Sequence, residues 1–451
     1  MAESTTTTPS DDVVGEILLR LDDVATLFRC TTTCKRWRRL VAKPSFILRR
    51  QWPPSLVAFF TRRCLGGGAG TDSSTRLACV PWPGSSVLTR PRALSSFLRA
   101  DDAAAAAAVD AATPLATRGG LLLVRLYLRL REDDLKPKTF SLAPVCNPIV
   151  GLAVCNPFAG TWDVLPELDC ESRLDGRSDE YGCDIVPGDG SSAFKVLMIG
   201  KDKEKPQFNL HIFSSGEASW RAPTKCFDMM ERQIWSLENT NAVVCRGYAH
   251  WLFLSKSDRF HVLNVDVETG HVSLTKPLGP TKDWTPAPVV TEYPDDNIGN
   301  DGNLVLDYRH LGRATHRTLY YNLYDADHLA TTTDGGLLSL LVYSGRRLEI
   351  WTQQHYTTED GDVDWRKTRV IDQNLTELII HLKRPSCIWS GERSETLLIK
   401  EGRDRLYIAH LDTGKLEEAT DQFLSPAHHG IIMPIEIDWP TFFMSRLGGS
   451  Y

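Results

Sequence analysis

Cys226 and Arg232 stand in a Cys-x5-Arg spacing, which in a phosphatase lets a loop of backbone amides cradle phosphate around a thiolate. Here the intervening Phe-Asp-Met-Met-Glu has no glycine to shape such a loop. Its two acids would also repel both thiolate and phosphate, and Lys225 stands where such sites usually carry histidine. The glycine-rich run Gly66-Gly67-Gly68-Ala69-Gly70 lacks the Lys-Ser/Thr of a phosphate-binding loop and reads as a flexible turn. Neither HExxH nor GxSxG occurs. Cys30 and Cys34 lie four apart, on one side of a helix, without a second Cys or His pair at zinc spacing. Cys146-Asn-Pro and Cys155-Asn-Pro read as strand ends, and the adjacent His428 and His429 would point apart in a strand. The residues therefore predict no catalytic centre, no metal and no cofactor.

Binding chemistry has two candidates. Lys35-Arg36-Trp37-Arg38-Arg39 has the interleaved basic and aromatic pattern of a nucleic-acid helix. The net charge of −6, from 51 basic and 57 acidic side chains, argues against nucleic acid as the main partner. The run is better read as the solvated face of a helix whose Trp37 turns partly inward. The second candidate is a stretch from 287 to 308, two strands (APVVTE and NLVLDY) around the turn YPDDNIGNDG. That turn is longer than a hairpin needs and carries Asp295, Asp296 and Asp301 without a base, with Tyr293 and Ile298 as apolar surface. It is expected either to be a tolerated insertion or to present carboxylates to a basic segment of a target protein. Trp162, Trp220, Trp251, Trp351 and Trp365 are most simply packing residues, with one or two available as binding hot spots.

Composition and periodicity define the scaffold that carries these residues. With 42% hydrophobic and 24% charged residues in 451, the chain is an ordinary globular one, so disordered and collagen-like classes fall away. No apolar run reaches the length of a membrane span; Gly119 to Leu130, the best, is broken by Arg125 and Arg129. Eleven scattered cysteines and a polar, acidic start predict free thiols in the cytoplasm and/or nucleus, which makes the sequon at Asn374 incidental.

Residues 1–23 hold six acids and one base, whereas 24–63 hold ten bases and no acid. Val13, Ile17 and Leu21 recur at helical spacing beside Val14 and Leu18, with Ser10 and Asp11 as capping candidates. A second helix should begin at Asp22 or Asp23. A third should run from about Thr31 to Val41, burying Cys34, part of Trp37, Leu40 and Val41, and stopping at Pro44. Three helices this short need a partner or the rest of the chain. The six alanines Ala103–Ala108 read equally as a short helix or a low-complexity insertion.

Beyond about residue 53 the chain is a series of short strands such as FNLHIF, HWLFL, HVLNVDV and RLYIAHL. VLNVDVETGHVSL (262–274) and LYIAHLDTGKLEEA (406–419) share a strand, an acid, Thr-Gly and a second strand. NPFAGTWDVLP (156–166) is a looser copy. The better pair lies 144 residues apart, read as three or four units of the length of a propeller blade. The prediction is a small all-α segment followed by a large all-β domain, a β-propeller of six to eight blades, with a pair of β-sandwiches as the alternative. The expected divisions are 1–8 as a disordered tail, 9–52, 53–425, and 426–451 as a closing segment or tail.

PSDDVVGEILLRLDDVATLFRCTTTCKRWRRLVAKPSF (9–46) closely resembles an F-box. Ile17, Leu21, Leu27, Arg29, Cys34, Lys35, Trp37, Arg38, Leu40, Pro44 and Phe46 match the family pattern. Pro9-Ser10 replaces its opening Leu-Pro, Asp22 its second proline, and Thr33 a usual valine. YGCDIVPGDGSSAFKVLMI (181–199), GYAHWLFL with VLNVDVET (247–269) and RLEIWTQQ with DWRKTRVI (347–371) are similar to the plant-type F-box-associated propeller. The resemblance implies a non-catalytic substrate receptor of a Skp–cullin–F-box ubiquitin ligase. Pro9, Val13, Ile17, Leu21, Leu27, Cys34, Lys35, Trp37 and Leu40 would meet the Skp-type adaptor and through it cullin. The propeller would hold an unknown target protein. A propeller enzyme with a helical cap, or a scaffold or nucleic-acid regulator using the basic helix, are the rival readings.

Overall fold

The computed structural model describes residues 9–52, 56–64, 75–82, 88, 90–99, 103–128, 149–168, 181–188, 193–202, 204–237, 240–255, 260–275, 328–331, 338–344, 347–357, 363–370, 385–390, 396–401, 405–410, 415–418 and 432–447. Four short helices come first: α1 (Asp11–Leu19), α2 (Val24–Thr33), α3 (Lys35–Val41) and α4 (Pro44–Arg49). Ser10 caps α1, its hydroxyl accepting from the Val13 amide at 3.4 Å, and Asp11 and Asp12 put negative charge at the positive end of the helix dipole. Asp23 caps α2 by accepting from the amides of Ala25 and Thr26 at 3.1 and 2.8 Å.

The single helix expected from Thr31 to Val41 is broken at Cys34. The hydroxyls of Thr31, Thr32 and Thr33 each donate back to a carbonyl three residues earlier. Such bonds compete with the helix ladder. Cys34 is then fully extended, and its sulfur accepts from the Trp37 amide at 3.5 Å to start α3. A capping cysteine at a joint is exposed, so the expected burial of Cys34 does not occur. Pro44 ends α3 and also opens α4, where its missing N–H is harmless at the first helical position. The segment therefore has four helices instead of three.

The rest is a ring of antiparallel sheets, six among the described residues. Blade 1 is β1 (Leu56–Cys64), β2 (Thr75–Pro81), β3 (Arg92–Ala93) and, beside β1, the late strand Met433–Glu436. Blade 2 is Thr113–Arg118, Leu121–Leu128, Ile149–Asn156 and Thr161–Val164. Blade 3 is Tyr181–Pro187, Phe194–Lys201, Gln207–Ser214 and Thr224–Asp228. Blade 4 has a first strand split into Ile234–Leu237 and Val243–Cys245, then Tyr248–Ser255, Phe260–Asp266 and Val272–Leu274. Blade 5 is His328–Thr331, Leu338–Ser344, Arg347–Thr357 and Val363–Val370. Blade 6 is Pro385–Ser390, Thr396–Glu401, Arg405–His410 and Lys415–Glu418.

Neighbouring blades share apolar side chains. Leu123 and Val154 of blade 2 meet Val196 and Met198 of blade 3. Leu197 and Phe208 of blade 3 meet Trp251 and Phe253 of blade 4, and Val262 of blade 4 meets Leu340 of blade 5. The first strands of blades 5 and 6 lie together, and Leu398 and Ile408 of blade 6 meet Phe59 and Val80 of blade 1. The ring is closed by the late strand, whose Met433 and Pro434 pair with Phe60 and Phe59. The late strand pairs with the β1 backbone, which would otherwise be an open sheet edge.

The repeated strand–turn–strand sequences occupy one place in the architecture: the last two strands of blades 2, 4 and 6. In blade 4 the Asp266 carboxylate accepts from the amides of Glu268 and Thr269, and Gly270 takes a positive φ that other residues resist. The 144 residues between the two better copies therefore span two blades, not three or four. The helix Ala103–Asp110 does form; Asp110 is buried and accepts from the Ser95 amide and hydroxyl, both at 3.0 Å.

Candidate protein-binding site

The helical segment has an inner and an outer face. Inward, Val14, Leu18, Leu27, Leu40, Val41, Phe46 and Ile47 join one buried cluster with Phe60 and Leu77 of blade 1 and Leu122 of blade 2. The helix Trp439–Leu447, which comes after the closing strand, wedges into the same place. Phe443 is fully buried, with its ring 5.1 Å from Trp52 and 6.2 Å from Phe28, while Phe442 reaches Phe158 of blade 2 at 5.8 Å. Nothing in the local sequence of residues 9–52 announces this partner.

Arg50 fixes the helices to one another. Its guanidinium is buried, donates to the carbonyls of Leu18, Leu19 and Leu21, and stacks on Trp52 at 5.3 Å. The Leu18 and Leu19 carbonyls lie at the end of α1 and Leu21 just beyond it, so a cation there also complements the helix dipole. Burial lowers the Arg50 pKa, against a smaller raising influence of Asp22 and Asp23. At the surface, Arg36 on α3 pairs with Asp11 at 2.7 Å and donates to the Pro9 carbonyl, and Arg49 on α4 pairs with Glu16. One member of the basic run is thus engaged by α1, and Arg38 is only half-exposed.

Outward, Val13 and Ile17 stand one turn apart on α1 at 51% and 55% exposure, and Leu48 on α4 reaches 85%. The Glu16–Arg49 pair bridges the two helices that carry them. Large apolar side chains this open, on two helices anchored to a buried core, are the kind of surface that protein partners cover. Residues 11–51 match an F-box-like family pattern. They form an F-box-like domain, followed by a β-propeller.

Of the residues the sequence assigns to the adaptor contact, Pro9, Val13, Ile17, Cys34 and Lys35 are exposed in the F-box-like domain, and Leu21 and Trp37 are half-buried. Leu27 and Leu40 are corrected: they lie inside the shared core, because the domain uses them to pack on the propeller side. Leu48 was missed. The run Phe46-Ile47-Leu48 looks uniformly apolar, but a helix cannot turn three consecutive side chains to one face. Tyr293, Asp295, Asp296, Ile298 and Asp301, which the sequence offers as a target contact, lie outside the described residues, as do Gly66–Gly70, Cys146, Asn374, His428 and His429.

Catalytic readings gain nothing from the geometry. Cys226 sits in a blade 3 strand, its thiol pushed up to about 12 by burial, which opposes thiolate formation. Arg232 ends a one-turn helix, Met229–Arg232, and no loop of amides surrounds the thiol. Among the described residues, no three metal-ligating side chains converge, and no helix is long and apolar enough to cross a membrane. Trp251 is fully buried between blades 3 and 4; Trp162, Trp220 and Trp351 are half-buried against blade cores.

No curated protein matches the sequence. Solved structures align weakly. A mutant of AofleA from Arthrobotrys oligospora aligns at 10% identity and TM-score 0.37, over 85% of this chain and 90% of that one. A puromycin-hydrolyzing peptidase of Mycobacterium tuberculosis aligns at 10% identity and TM-score 0.33 over 68% of this chain, which spans only 38% of the peptidase. The Dos1 propeller aligns at 10% identity and TM-score 0.32, over 77% of this chain and 65% of that one.

Proposed function

We propose that the protein is the target-recognition subunit of a Skp–cullin–F-box ubiquitin ligase, not itself catalytic, acting in the cytoplasm and/or nucleus. The observation that carries the reading is the two-sided F-box-like domain. Its outer face leaves Val13, Ile17 and Leu48 open, while its inner face is part of the propeller core. An adaptor on the outer face would then be held in a fixed orientation to whatever the propeller binds. Such an arrangement raises the effective concentration of target lysines near a conjugating enzyme recruited through cullin. The loop with Tyr293, Asp295, Asp296, Ile298 and Asp301 is proposed as the target-binding rim, its carboxylates facing a basic segment.

The test uses the full chain, because removing residues 9–52 would strip the inner core. Ile17→Asp combined with Leu48→Asp should abolish co-purification with a Skp-type adaptor while thermal unfolding stays near wild type. Undiminished adaptor binding by that folded variant would refute the reading. Once the target is identified, replacing residues 294–301 by Gly-Asn should weaken it by about tenfold, about 1.4 kcal/mol, with adaptor binding intact.

A further inference from the structure

Blade 4 contains a thiol, an imidazole and an amide in line, which the adaptor and target contacts do not use. Arg246 and Gly247 both take positive φ, 52° and 81°, forming the tight hairpin turn that sets Cys245 opposite Tyr248. Strand alternation then brings His250 to the same face as Cys245, and the register pairs His250 directly with Asn264. The Cys245 sulfur lies 3.3 Å from His250 Nε2, and His250 Nδ1 lies 2.8 Å from Asn264 Oδ1. Asn264 Nδ2 donates to the Ser273 hydroxyl at 3.5 Å, which turns the amide oxygen toward the ring.

That orientation fixes the tautomer. An oxygen at Nδ1 requires the proton there, so Nε2 presents its lone pair to the thiol. The relation is that of a nucleophile, a base and a group that orients the base. Burial disfavours charge on both groups: it raises the Cys245 pKa and lowers that of His250. Arg246 and Arg118 act on Cys245 in the opposite sense, favouring negative charge on sulfur as it develops. His250 is buried, and Cys245 is half-buried beside the exposed turn residues Arg246, Gly247 and Tyr248 while packing against the cluster of Val243 and Leu252. The other described thiols lack this company. Cys79 and Cys155 are buried and pushed up to about 12, and the Cys226 sulfur reaches the Thr224 carbonyl at 3.9 Å.

We propose that Cys245 is a base-assisted nucleophilic thiol, with His250 as the base and Asn264 as its positioning residue, and that it is a site of covalent modification by small soft carbon electrophiles such as α,β-unsaturated carbonyls. With an unsaturated carbonyl, sulfur bonds to the β-carbon as its proton passes to Nε2, and the enolate takes that proton back. With iodoacetamide, the S–C bond forms as C–I breaks. Iodide leaves with the bonding pair, and the proton passes through Nε2 to water.

The experiment alkylates the full chain with limiting iodoacetamide at neutral pH, with N-acetylcysteine amide in the same tube, and maps each cysteine by peptide mass. Cys245 should react about tenfold faster than the free thiol, and His250→Gln should slow it about tenfold. Protection of Cys155 and Cys183 reports that the ring is intact. If His250→Gln exposes them, the smaller change Asn264→Ser is read instead and should slow Cys245 threefold or more. A wild-type rate at or below that of the free thiol overturns the proposal. So does a folded variant that alkylates at the wild-type rate. Should both variants unfold, the wild-type ratio decides alone.

Discussion

Two seams of this molecule share an apolar core but differ in what else they enclose. Where the F-box-like domain meets the ring, the contact is aromatic and aliphatic: Phe28, Trp52, Phe442 and Phe443 around a cluster that includes Leu27 and Leu40. Where blade 2 meets blade 3, a charged pair is sealed inside. Arg118 and Asp184 lie 2.9 Å apart at 9% and 2% exposure, and Arg118 also donates to the Ala242 carbonyl of blade 4 at 3.2 Å. Nearby, the Cys183 amide donates to the Thr240 carbonyl and Asn241 donates to the Leu115 carbonyl, tying three blades together. The apolar seam gains energy from burial and tolerates rough alignment. The buried Arg118–Asp184 pair adds little net energy to its seam but demands one geometry, because both charges have left water. A domain attached through the first kind of seam is part of the body's core, not a module on a tether.

The largest effect should come from the apolar seam. Phe443→Ala removes a fully buried ring and should cost about 3 to 5 kcal/mol, measured by chemical denaturation. Loss of the helical signal well before the sheet signal would show that the two regions are less unified than their shared core implies. At the ionic seam, Arg118→Ala should cost about 3 kcal/mol by stranding Asp184. Arg118→Met with Asp184→Leu should recover most of that, and failure to recover would mean that the pair contributes stability beyond satisfying itself.

A third test addresses the tight approach of blades 3 and 4. A Cβ on Gly182 would come within 2.8 Å of Trp251 Nε1 and 3.0 Å of the Thr240 carbonyl. Gly182→Ala should therefore cost about 1 to 3 kcal/mol by overpacking, and a neutral result would show that the seam can shift. The smallest effect concerns acid. His211 and His250 are held below the ordinary histidine value near 6.5, in each case chiefly by burial; Asp202 opposes this at His211, and Asn264 and Cys245 at His250. A lowered folded pKa means that the unfolded chain binds these protons first. The stability present above about pH 6.5 is lost as pH falls toward the folded values. His211→Gln should flatten that loss between about pH 7.5 and about pH 5.5; an unchanged slope would exclude His211 as a contributor.

The legible parts of the chain were the local ones. Ser10 and Asp23 cap the helices that the pattern placed after them, and the Thr-Gly and Ala-Gly turns mark one hairpin position in three blades. Helix division at Cys34 was not legible, because three threonine back-bonds and one extended residue decide it against an unbroken apolar period. The unit length was misjudged because two similar hairpins fix their place within a blade but not the number of blades between them.

Sequence alone determined whatever depends on neighbours within one turn or one strand: caps, hairpin turns, the match over residues 11–51 and the all-β character of the ring. Tertiary structure decided which apolar residues are core and which are surface. Leu27 and Leu40 went in, and Ile17 and Leu48 stayed out, because a helix presents apolar side chains on more than one side and only its packing partner selects among them. That partner is Phe443, on a helix some 400 residues later that directly follows the strand paired with β1. Contacts across so long a separation leave no periodic trace in the residues they join, since each side satisfies its own local pattern first.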